Sequence, residues 1–314
     1  MGLLDSLKFR VGRWRALRAA ERGLAPPTPK ERARIDALHA GFAELPIAPI
    51  DGLDPNEADW NGAMNRLRQL GMRADPRAFQ RWDVIVARMA HMESPATAPE
   101  LAALRADAAW ESRWRDAIRE VDVGRPSQYA LHPSSSEALI QTVYHVRELE
   151  ELSERRVDEW DVVVEFGGGF GGLCRVMHAL GFRGRYLIFD LPAFTLLQRY
   201  YLDQTGVLGG GNVRVTSDLR DLDAFVNGIT PNERAVFWAT WSLSETPMTL
   251  RERIKPLVQQ IGNYCIAYQG RYGDVDNVRY FADHWISGES RIRRIEHRPD
   301  DYYLAGRVAP VTGA

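Results

Sequence analysis

A glycine-rich turn with a carboxylate on either side is the segment of this sequence whose residue types and spacing could do chemistry. The apolar run VVVEF, residues 162–166, leads into five glycines within six positions, which are Gly167, Gly168, Gly169, Gly171 and Gly172. Glu165 lies two residues before this turn, and Asp190 follows a second apolar run, 18 residues beyond Gly172. A backbone without side chains can bend sharply and approach a ligand, while the helix that follows directs its N-terminus at the same point. A carboxylate in the position of Asp190 can accept hydrogen bonds from both hydroxyls of a ribose.

This pattern fits two classes of adenosine-containing cofactor, NAD and S-adenosylmethionine. Glu165 favours the second class, because a dinucleotide-binding turn usually keeps apolar residues at that position. A carboxylate there suits a cofactor that carries an ammonium group and a sulfonium, through direct or water-mediated hydrogen bonds. An NAD(P)-dependent oxidoreductase that uses the same turn stays an alternative, as does a methyltransferase-like module that binds without catalysis.

The elements that must position this turn alternate between strands and helices. We expect strands near residues 161–166, 185–190, 212–216, 234–240 and 262–269, with helices between them, which predicts a mostly parallel sheet covered on both faces. The runs RIRRIEHR and DYYLAGRVA, joined by PDD, predict a terminal antiparallel hairpin. Together these elements predict an α/β, Rossmann-like, seven-stranded sheet with a C-terminal antiparallel hairpin, in the layout of class I methyltransferases. We expect residues 126–314 to form this domain and residues 1–125 to form an α-helical N-terminal region.

Four segments resemble a narrower family, the bacterial sugar O-methyltransferases associated with surface polysaccharides and glycolipids. They are VVEFGGGFGGLCRVMHALGFRGRYLIFDLPAF, WSLSE at 241–245, YQGRYGDVDNVRYF and HRPDDYYLAG. The resemblance covers about residues 124–308 and leaves the N-terminal helices unexplained. It implies methyl transfer from S-adenosylmethionine to a hydroxyl of a sugar in a polysaccharide, glycolipid or nucleotide sugar.

On this interpretation, one set of residues would hold the cofactor. Around its methionine end we expect Glu165, Gly167, Gly168 and Gly169, and around its adenosine end Asp190, Leu191 and Asp218. Asp190 would bind the ribose, Leu191 would cover the adenine, and Asp218 would accept from the adenine amino group. Asp218 fits equally well as the N-cap of the next helix.

The chemistry also requires a base, because a protonated aliphatic hydroxyl is a poor nucleophile. Glu245 follows the fourth strand, at the sheet edge where ligands bind in this architecture, and we expect Ser242 and Ser244 to contact the substrate. The alternative for Glu245 is a carboxylate at a helix N-terminus before Pro247. His297, beside the terminal hairpin, is the second candidate base, and a surface or internally bonded histidine is its alternative.

Several weaker signals leave two interpretations open. Tyr144 and His145 could roof the site or only pack. The DVDN segment, residues 274–277, could bind a divalent ion, although a solvated helix start is commoner, and we predict no metal site. The arginines of the terminal hairpin could indicate an anionic acceptor or a solvated strand face. They are Arg291, Arg293, Arg294 and Arg298.

Composition limits the remaining classes of function. The chain has 314 residues, 45% hydrophobic residues and a net charge of −2, which gives no reason to expect nucleic acid as a partner. Cys174 and Cys265 are isolated in apolar patterns and predict buried thiols rather than a zinc site or disulfide. No apolar run is long enough for a membrane span and no secretory signal is evident, so we expect a cytoplasmic protein. The basic first 23 residues could bind a membrane surface weakly or pack as an ordinary amphipathic helix. The helical N-terminal region could shape the acceptor site or support a homodimer.

Overall fold

Helices form the N-terminal region of the computed structural model, which describes residues 19, 21–90, 94–285 and 289–308. They are α1 (Pro29–Glu44), α2 (Pro55–Gly71), α3 (Asp83–Arg88), α4 (Thr97–Ala106) and α5 (Arg115–Ala117), with a 3₁₀ helix at Pro76–Arg81 and a π-helical turn at Trp110–Trp114. Local signals begin the longer helices. Thr28 and Glu31 form a capping box at α1, and the Asp54 carboxylate accepts hydrogen bonds from the first N–H groups of α2. The expected helical N-terminal region is confirmed, while residues 1–18 of the basic segment lie outside the described residues.

A small hairpin and a long helix lead into the sheet. The hairpin consists of β1 (Gln128–Tyr129) and β2 (His132–Ser136), and the helix is α6 (Glu137–Ser153). Ser136 caps α6, because its hydroxyl accepts the Leu139 N–H at 3.1 Å. The apolar face of α6 is buried along its length, at Leu139, Val143, Val146, Leu149 and Leu152.

Seven strands form one sheet that confirms the expected fold class. In chain order the remaining strands are β3 (Val162–Phe166), β4 (Arg185–Phe189), β5 (Val213–Thr216), β6 (Ala235–Thr240), β7 (Asn263–Gln269), the separate short pair β8 (Arg271–Tyr272) and β9 (Val275–Asp276), then β10 (Arg291–Arg294) and β11 (Asp301–Arg307). The order across the sheet is β10-β11-β7-β6-β3-β4-β5. Five strands that are adjacent in the sheet pair in parallel: β5, β4, β3, β6 and β7. β11 pairs antiparallel to both of its neighbours, β10 and β7. This order, with one reversed strand inserted near the end, is the class I methyltransferase fold.

Helices connect the strands and cover both faces of the sheet. They are α7 (Gly172–Ala179), α8 (Pro192–Gln204), α9 (Leu219–Asn227), α10 (Ser242–Glu245), α11 (Met248–Ile261) and α12 (Asn277–His284), with 3₁₀ turns at Val157–Glu159 and Val207–Gly210. Because β3, β4, β5 and β6 are parallel, the segments that follow them meet at one edge of the sheet. None of the helices in the described part of the chain is long and apolar enough to cross a membrane.

The hydrophobic core lies in two layers, one on each face of the sheet. Alternation along β3 divides them: Val163 belongs to one layer, and Val162 and Val164 belong to the other. The first layer is continuous from the N-terminal helices through α6 and α8 to the sheet. Both cysteines are buried, as the sequence predicts. The domain boundary at residue 125 stays a prediction, although the apolar core runs across it.

Phe79 tests whether the helical region and the sheet unfold together. It is fully buried, and its ring packs against Phe170 at 5.6 Å and Tyr201 at 5.7 Å, both in the α/β part. We expect Phe79→Ala to lower the free energy of unfolding by about 3–5 kcal/mol. Urea unfolding followed by circular dichroism and by tryptophan fluorescence should give one coincident transition for wild type and variant.

The control for this prediction is Leu131→Ala. Leu131 is 63% exposed, so we expect its truncation to change the free energy of unfolding by no more than about 0.5 kcal/mol. Two separate transitions in wild-type protein, with only the first shifted by Phe79→Ala, would show that the two regions fold independently.

Candidate functional site

The glycine turn leaves no space for side chains. Gly167 and Gly169 have φ angles of +72° and +58°, in the left-handed region that favours glycine. A Cβ atom on Gly167 would lie 2.2 Å from the Cβ of Ser242, and one on Gly169 would lie 3.1 Å from the Met89 sulfur. Backbone from β3, the segment after β6 and the end of α3 therefore converge at the turn.

Asp190 ties the end of β4 to this turn. Its carboxylate accepts hydrogen bonds from the Gly169 N–H at 3.0 Å, the Leu191 N–H at 2.7 Å and the Gln198 Nε2 at 2.7 Å. Burial outweighs these donors and raises the pKa of Asp190 to about 7. The Gly168 N–H lowers this pKa as well. A carboxylate accepts about four hydrogen bonds, so these donors leave Asp190 little capacity for the two ribose hydroxyls expected from the sequence.

Glu165 lies beneath the turn and is 2% exposed. The Tyr186 hydroxyl donates to its Oε2 at 2.7 Å. Burial raises the pKa of Glu165 to about 8, while the Tyr186 hydrogen bond lowers it and the nearby Asp190 carboxylate raises it further. Glu165 is therefore mainly protonated at neutral pH, and a cationic ligand beside it would favour the charged form.

Two adjoining cavities open on this edge of the sheet. The outer cavity has a volume of about 900 Å³ and is lined by Asp190, Leu191 and Asp218 among others. The inner cavity has a volume of about 240 Å³ and is lined by Glu165 and by the glycine turn. Several residues line both cavities, and these mark where they join: Arg88, Met89, Gly167, Gly169, Thr240, Trp241 and Glu245.

Glu245 lies at this junction as the last residue of α10. Gln269 Nε2 donates to its Oε1 at 3.0 Å. Burial raises the pKa of Glu245 to about 7, and the Gln269 donor and the Arg88 guanidinium oppose that rise. Glu245 lies in the single turn of α10 and two residues before Pro247, the N-cap of α11, so the alternative of a carboxylate near a helix N-terminus stays open.

Trp241 places α10 at the junction. Its φ of +64° is unusual for a residue other than glycine, and its N–H donates to Ala267 O at 2.7 Å. Such strain persists only where the surrounding structure enforces it and is common at functional sites. The chain thereby turns from β6 directly into the short helix that carries Glu245.

The two serines of α10 hold the chain rather than a ligand. Ser244 is fully buried, and its Oγ lies 2.6 Å from Trp241 O and 2.7 Å from Gln269 Oε1. The expectation that Ser244 contacts a substrate is therefore wrong. The Ser242 hydroxyl donates to Phe166 O, although Ser242 also lines the outer cavity.

The structure does not bring His297 to the cavities. Its Nε2 lies 3.1 Å from Glu100 Oε1, and Arg298 pairs with the same oxygen at 2.9 Å. His297 is not among the residues that line either cavity, whereas Arg298 lines the inner one. The internally bonded interpretation describes His297 better than a role as the base.

Asp218 lies where either of its two interpretations is possible, as the N-cap of a helix or as an acceptor from the adenine amino group. Its carboxylate caps α9 by accepting the Arg220 N–H at 2.8 Å, and Asp218 also lines the outer cavity. His145, unlike Tyr144, reaches the inner cavity, where its Nδ1 lies 2.5 Å from the Tyr303 hydroxyl.

The charged side chains of the basic hairpin and of the acidic DVDN segment largely contact other residues of this chain. Arg291 pairs with Glu154 at 2.7 Å, and Arg293 pairs with Glu148 at 2.9 Å, so acids in and just after α6 neutralise them. Asp276 caps α12 by accepting the Arg279 N–H at 3.0 Å. Within the described residues, no group of three or more histidine, cysteine or acidic side chains is arranged to hold a metal ion.

The sequence interpretation allowed the N-terminal helices to shape the acceptor site but named none of the residues that would do so. One face of α2, with Asn56, Glu57, Trp60 and Asn61, lines the outer cavity, and Arg88 and Met89 from the end of α3 line both. The only sequence signal was the helical spacing of polar and aromatic residues in α2, which does not reveal what the face contacts.

Comparison with known proteins does not identify a family for this chain. No family model and no curated protein matches the chain. An RNA methyltransferase from Salinibacter ruber in complex with S-adenosyl-L-homocysteine is 18% identical, with 52% of this chain and 89% of that chain covered and a TM-score of 0.34. A precorrin-6y C5,15-methyltransferase from Geobacter metallireducens is 14% identical, with 58% and 92% covered and a TM-score of 0.36. An rRNA methylase from Streptococcus thermophilus is 17% identical, with 52% and 95% covered and a TM-score of 0.37. Because these identities and TM-scores are low, the order of the strands in the sheet establishes the fold, and the similarity to these structures does not.

Glu165→Gln tests the protonation of the buried carboxyl. Between its ordinary pKa of 4.5 and the raised pKa of about 8, the folded protein keeps a proton that the unfolded chain has released. The retained proton stabilises the folded protein relative to the unfolded chain. Its contribution to the free energy of unfolding is complete below pH 4.5, decreases as the pH rises, and is lost above about pH 8. The variant keeps an oxygen that accepts from Tyr186 but does not titrate, so we expect it to gain stability relative to wild type between pH 5 and pH 8.

Urea unfolding at several pH values measures this difference. The control is Glu252→Gln on the exposed side of α11, for which we expect no such trend. A difference between Glu165→Gln and wild type that stays constant with pH would contradict the assignment.

Proposed function

We propose that this chain is an S-adenosylmethionine-dependent O-methyltransferase that transfers a methyl group to a hydroxyl of a sugar. One observation supports it above all. Glu165 on β3 and Asp190 just after the neighbouring parallel strand β4 line adjoining cavities, and the glycine turn lines both of these cavities. The class I methyltransferase topology puts this turn at the edge of the sheet where such folds bind ligands.

The residues around the turn fit this cofactor in charge and shape. Asp190 would accept from a ribose hydroxyl with its remaining capacity, and Leu191 and Asp218 line the same cavity beyond it. Glu165 would lie near the methionine end, within the inner cavity, where a cationic group lowers the cost of ionising it. The positive φ angles of Gly167 and Gly169 let the backbone approach.

The alternative of a nicotinamide cofactor fits this site less well. A dinucleotide would bring its anionic pyrophosphate to the glycine turn. Glu165 adjoins that turn, and its carboxyl offers an anion no attraction when protonated and repels it when ionised. Asp190 does not discriminate, because a carboxylate there fits the ribose of either cofactor. The alternative of an inactive binding module loses support because Glu245, a group able to take a proton, lines both cavities.

Glu245 is the group we assign to the base. When bound, the cofactor supplies a methyl group activated by its sulfonium. The Glu245 carboxylate would accept the proton of the acceptor hydroxyl as the oxygen–carbon bond forms and the sulfur–carbon bond breaks. Gln269 holds this carboxylate through its Nε2, and burial keeps the pKa of Glu245 near neutral pH, which suits reversible proton transfer.

The sugar assignment rests on the resemblance and on where its segments lie. Trp241 and Glu245 of the WSLSE segment line both cavities, and Arg298 of the HRPDD segment lines the inner one. Tyr272 of the YQGRYGDVDN segment contacts α2 beside them. The segments that carry the resemblance therefore converge on the site from distant parts of the chain. Weak membrane-surface binding and a homodimer stay predictions.

Asp190→Ala tests the cofactor assignment. We expect S-adenosylhomocysteine to raise the melting temperature of wild-type protein and to have no effect on the variant, because the ribose contact and the tie to the turn are both lost. Differential scanning fluorimetry and calorimetry measure this. The control is Asp161→Ala, at the opposite edge of the sheet, where the carboxylate pairs with Arg234. Stabilisation of wild type by NADH but not by S-adenosylhomocysteine would overturn the proposal.

Glu245→Gln tests the base. We expect it to keep binding of S-adenosylhomocysteine and to lower kcat roughly 10²–10⁴-fold. Wild-type kcat should rise with pH through about 7, since the carboxylate accepts a proton only when ionised. His297→Asn separates the two candidates predicted from sequence, and we expect it to keep turnover. The reverse result, with His297→Asn inactive and Glu245→Gln active, would reject this assignment.

A further inference from the structure

One face of α2 forms a polar and aromatic wall of the outer cavity. Asn56, Glu57, Trp60 and Asn61 line it, at the spacing that places residues on one side of a helix. We call these four residues the α2 wall. Binding sites commonly combine such aromatic surface with a few fixed polar groups.

Asn56 is the member of the wall that indicates a ligand most directly. It is 7% exposed, yet its side-chain amide makes no hydrogen bond with any residue that the structure describes. Neither amide atom is among the fully buried polar atoms that lack a hydrogen-bond partner, so both keep surface that a ligand in the cavity can reach. An amide that offers both a donor and an acceptor to the cavity suits a ligand whose hydroxyl groups do the same.

Trp60 supplies the apolar part of the wall. Phe194 packs edge-on against its ring at 6.0 Å, and the Arg88 guanidinium lies over the ring at 5.1 Å. These contacts fix the indole while part of it remains exposed to the cavity. A rigid aromatic surface beside an amide is suited to a sugar ring, which presents C–H groups as well as hydroxyls.

The α2 wall is held close to Glu245. Asp59 Oδ1 pairs with Arg88 at 2.7 Å, and its Oδ2 accepts from the Tyr272 hydroxyl at 3.0 Å, which ties α2 to α3 and to the β8–β9 hairpin. The Trp60 side chain also donates toward the Glu245 carboxylate. Asp190, Leu191 and Asp218, which would hold the adenosine, come from the ends of β4 and β5 instead.

We propose that the α2 wall is the acceptor-recognition surface, in which Asn56 hydrogen-bonds hydroxyls of a sugar ring and Trp60 contacts its C–H groups. This inference rests on the proposed function and assigns the N-terminal helices the choice of acceptor. The sugar then lies between the wall and Glu245, with its reacting hydroxyl beside the carboxylate.

Two variants and two controls test this assignment. Asn56→Ala and Trp60→Leu remove the polar and the aromatic contact. Gln69→Ala changes an exposed residue of the same helix, and Trp110→Leu changes a partly exposed tryptophan that packs edge-on against His132 at 6.4 Å, away from both cavities. Circular dichroism and melting temperature establish that each variant is folded.

The probes are methyl glycosides of common hexoses and 6-deoxyhexoses, with the protein saturated by S-adenosylhomocysteine. Saturation-transfer NMR identifies the glycosides that bind wild type, and titration gives their Kd. We expect Asn56→Ala and Trp60→Leu each to raise that Kd roughly tenfold or more. We expect both controls to keep it, and all four variants to keep the Kd for S-adenosylhomocysteine.

Each other result has a defined meaning. If wild type binds S-adenosylhomocysteine but no glycoside, the sugar wall is rejected while the cofactor assignment stands. If Trp60→Leu weakens S-adenosylhomocysteine as much as the glycoside, the wall belongs to the cofactor. If glycoside binding survives both Asn56→Ala and Trp60→Leu, the acceptor lies elsewhere. If wild type binds no S-adenosylhomocysteine, the proposed function fails, and this inference fails with it.

Discussion

The hydrogen bonds between Asp190, Gln198 and the glycine turn are the constraint on which the site depends. Gln198 is fully buried, and its Nε2 donates to both Asp190 Oδ2 and Gly169 O. The end of β4, the start of α8 and the turn after β3 therefore move as one unit. Gly169 and Asp190 both line the outer cavity, so a ligand there meets the turn and the carboxylate together.

The N-terminal helices contribute residues that line both cavities of the site. Met89 abuts the turn, Arg88 lines both cavities, and the α2 wall encloses the outer cavity. The apolar core beneath them is continuous with the core of the sheet. Because packed cores of this kind resist deformation, the distance between α2 and Glu245 is set by the fold.

Local patterns predicted the sheet and the two carboxylates of the turn, since strands, turns and caps depend on neighbouring residues. The five parallel strands agreed with their expected positions to within about one residue, because each is an apolar run bounded by breakers. The first strand of the terminal hairpin is shorter than the RIRRIEHR run and ends at Arg294. Long-range partners were beyond such reasoning. Nothing near Ser244 in sequence indicates that Gln269 closes over it, and nothing near Arg293 indicates that Glu148 neutralises it. The role of Trp60 depends on a contact with α10, almost two hundred residues away along the chain.

Three acidic side chains around one cleft have pKa values near or above neutral: about 8 for Glu165, about 7 for Asp190 and about 7 for Glu245. These values imply that the cleft holds protons at neutral pH, although its residue types suggest negative charge. Binding of a positively charged ligand would release those protons, so ligand binding and proton release are coupled. The heat of binding would then depend on the ionisation enthalpy of the buffer that takes up the released protons.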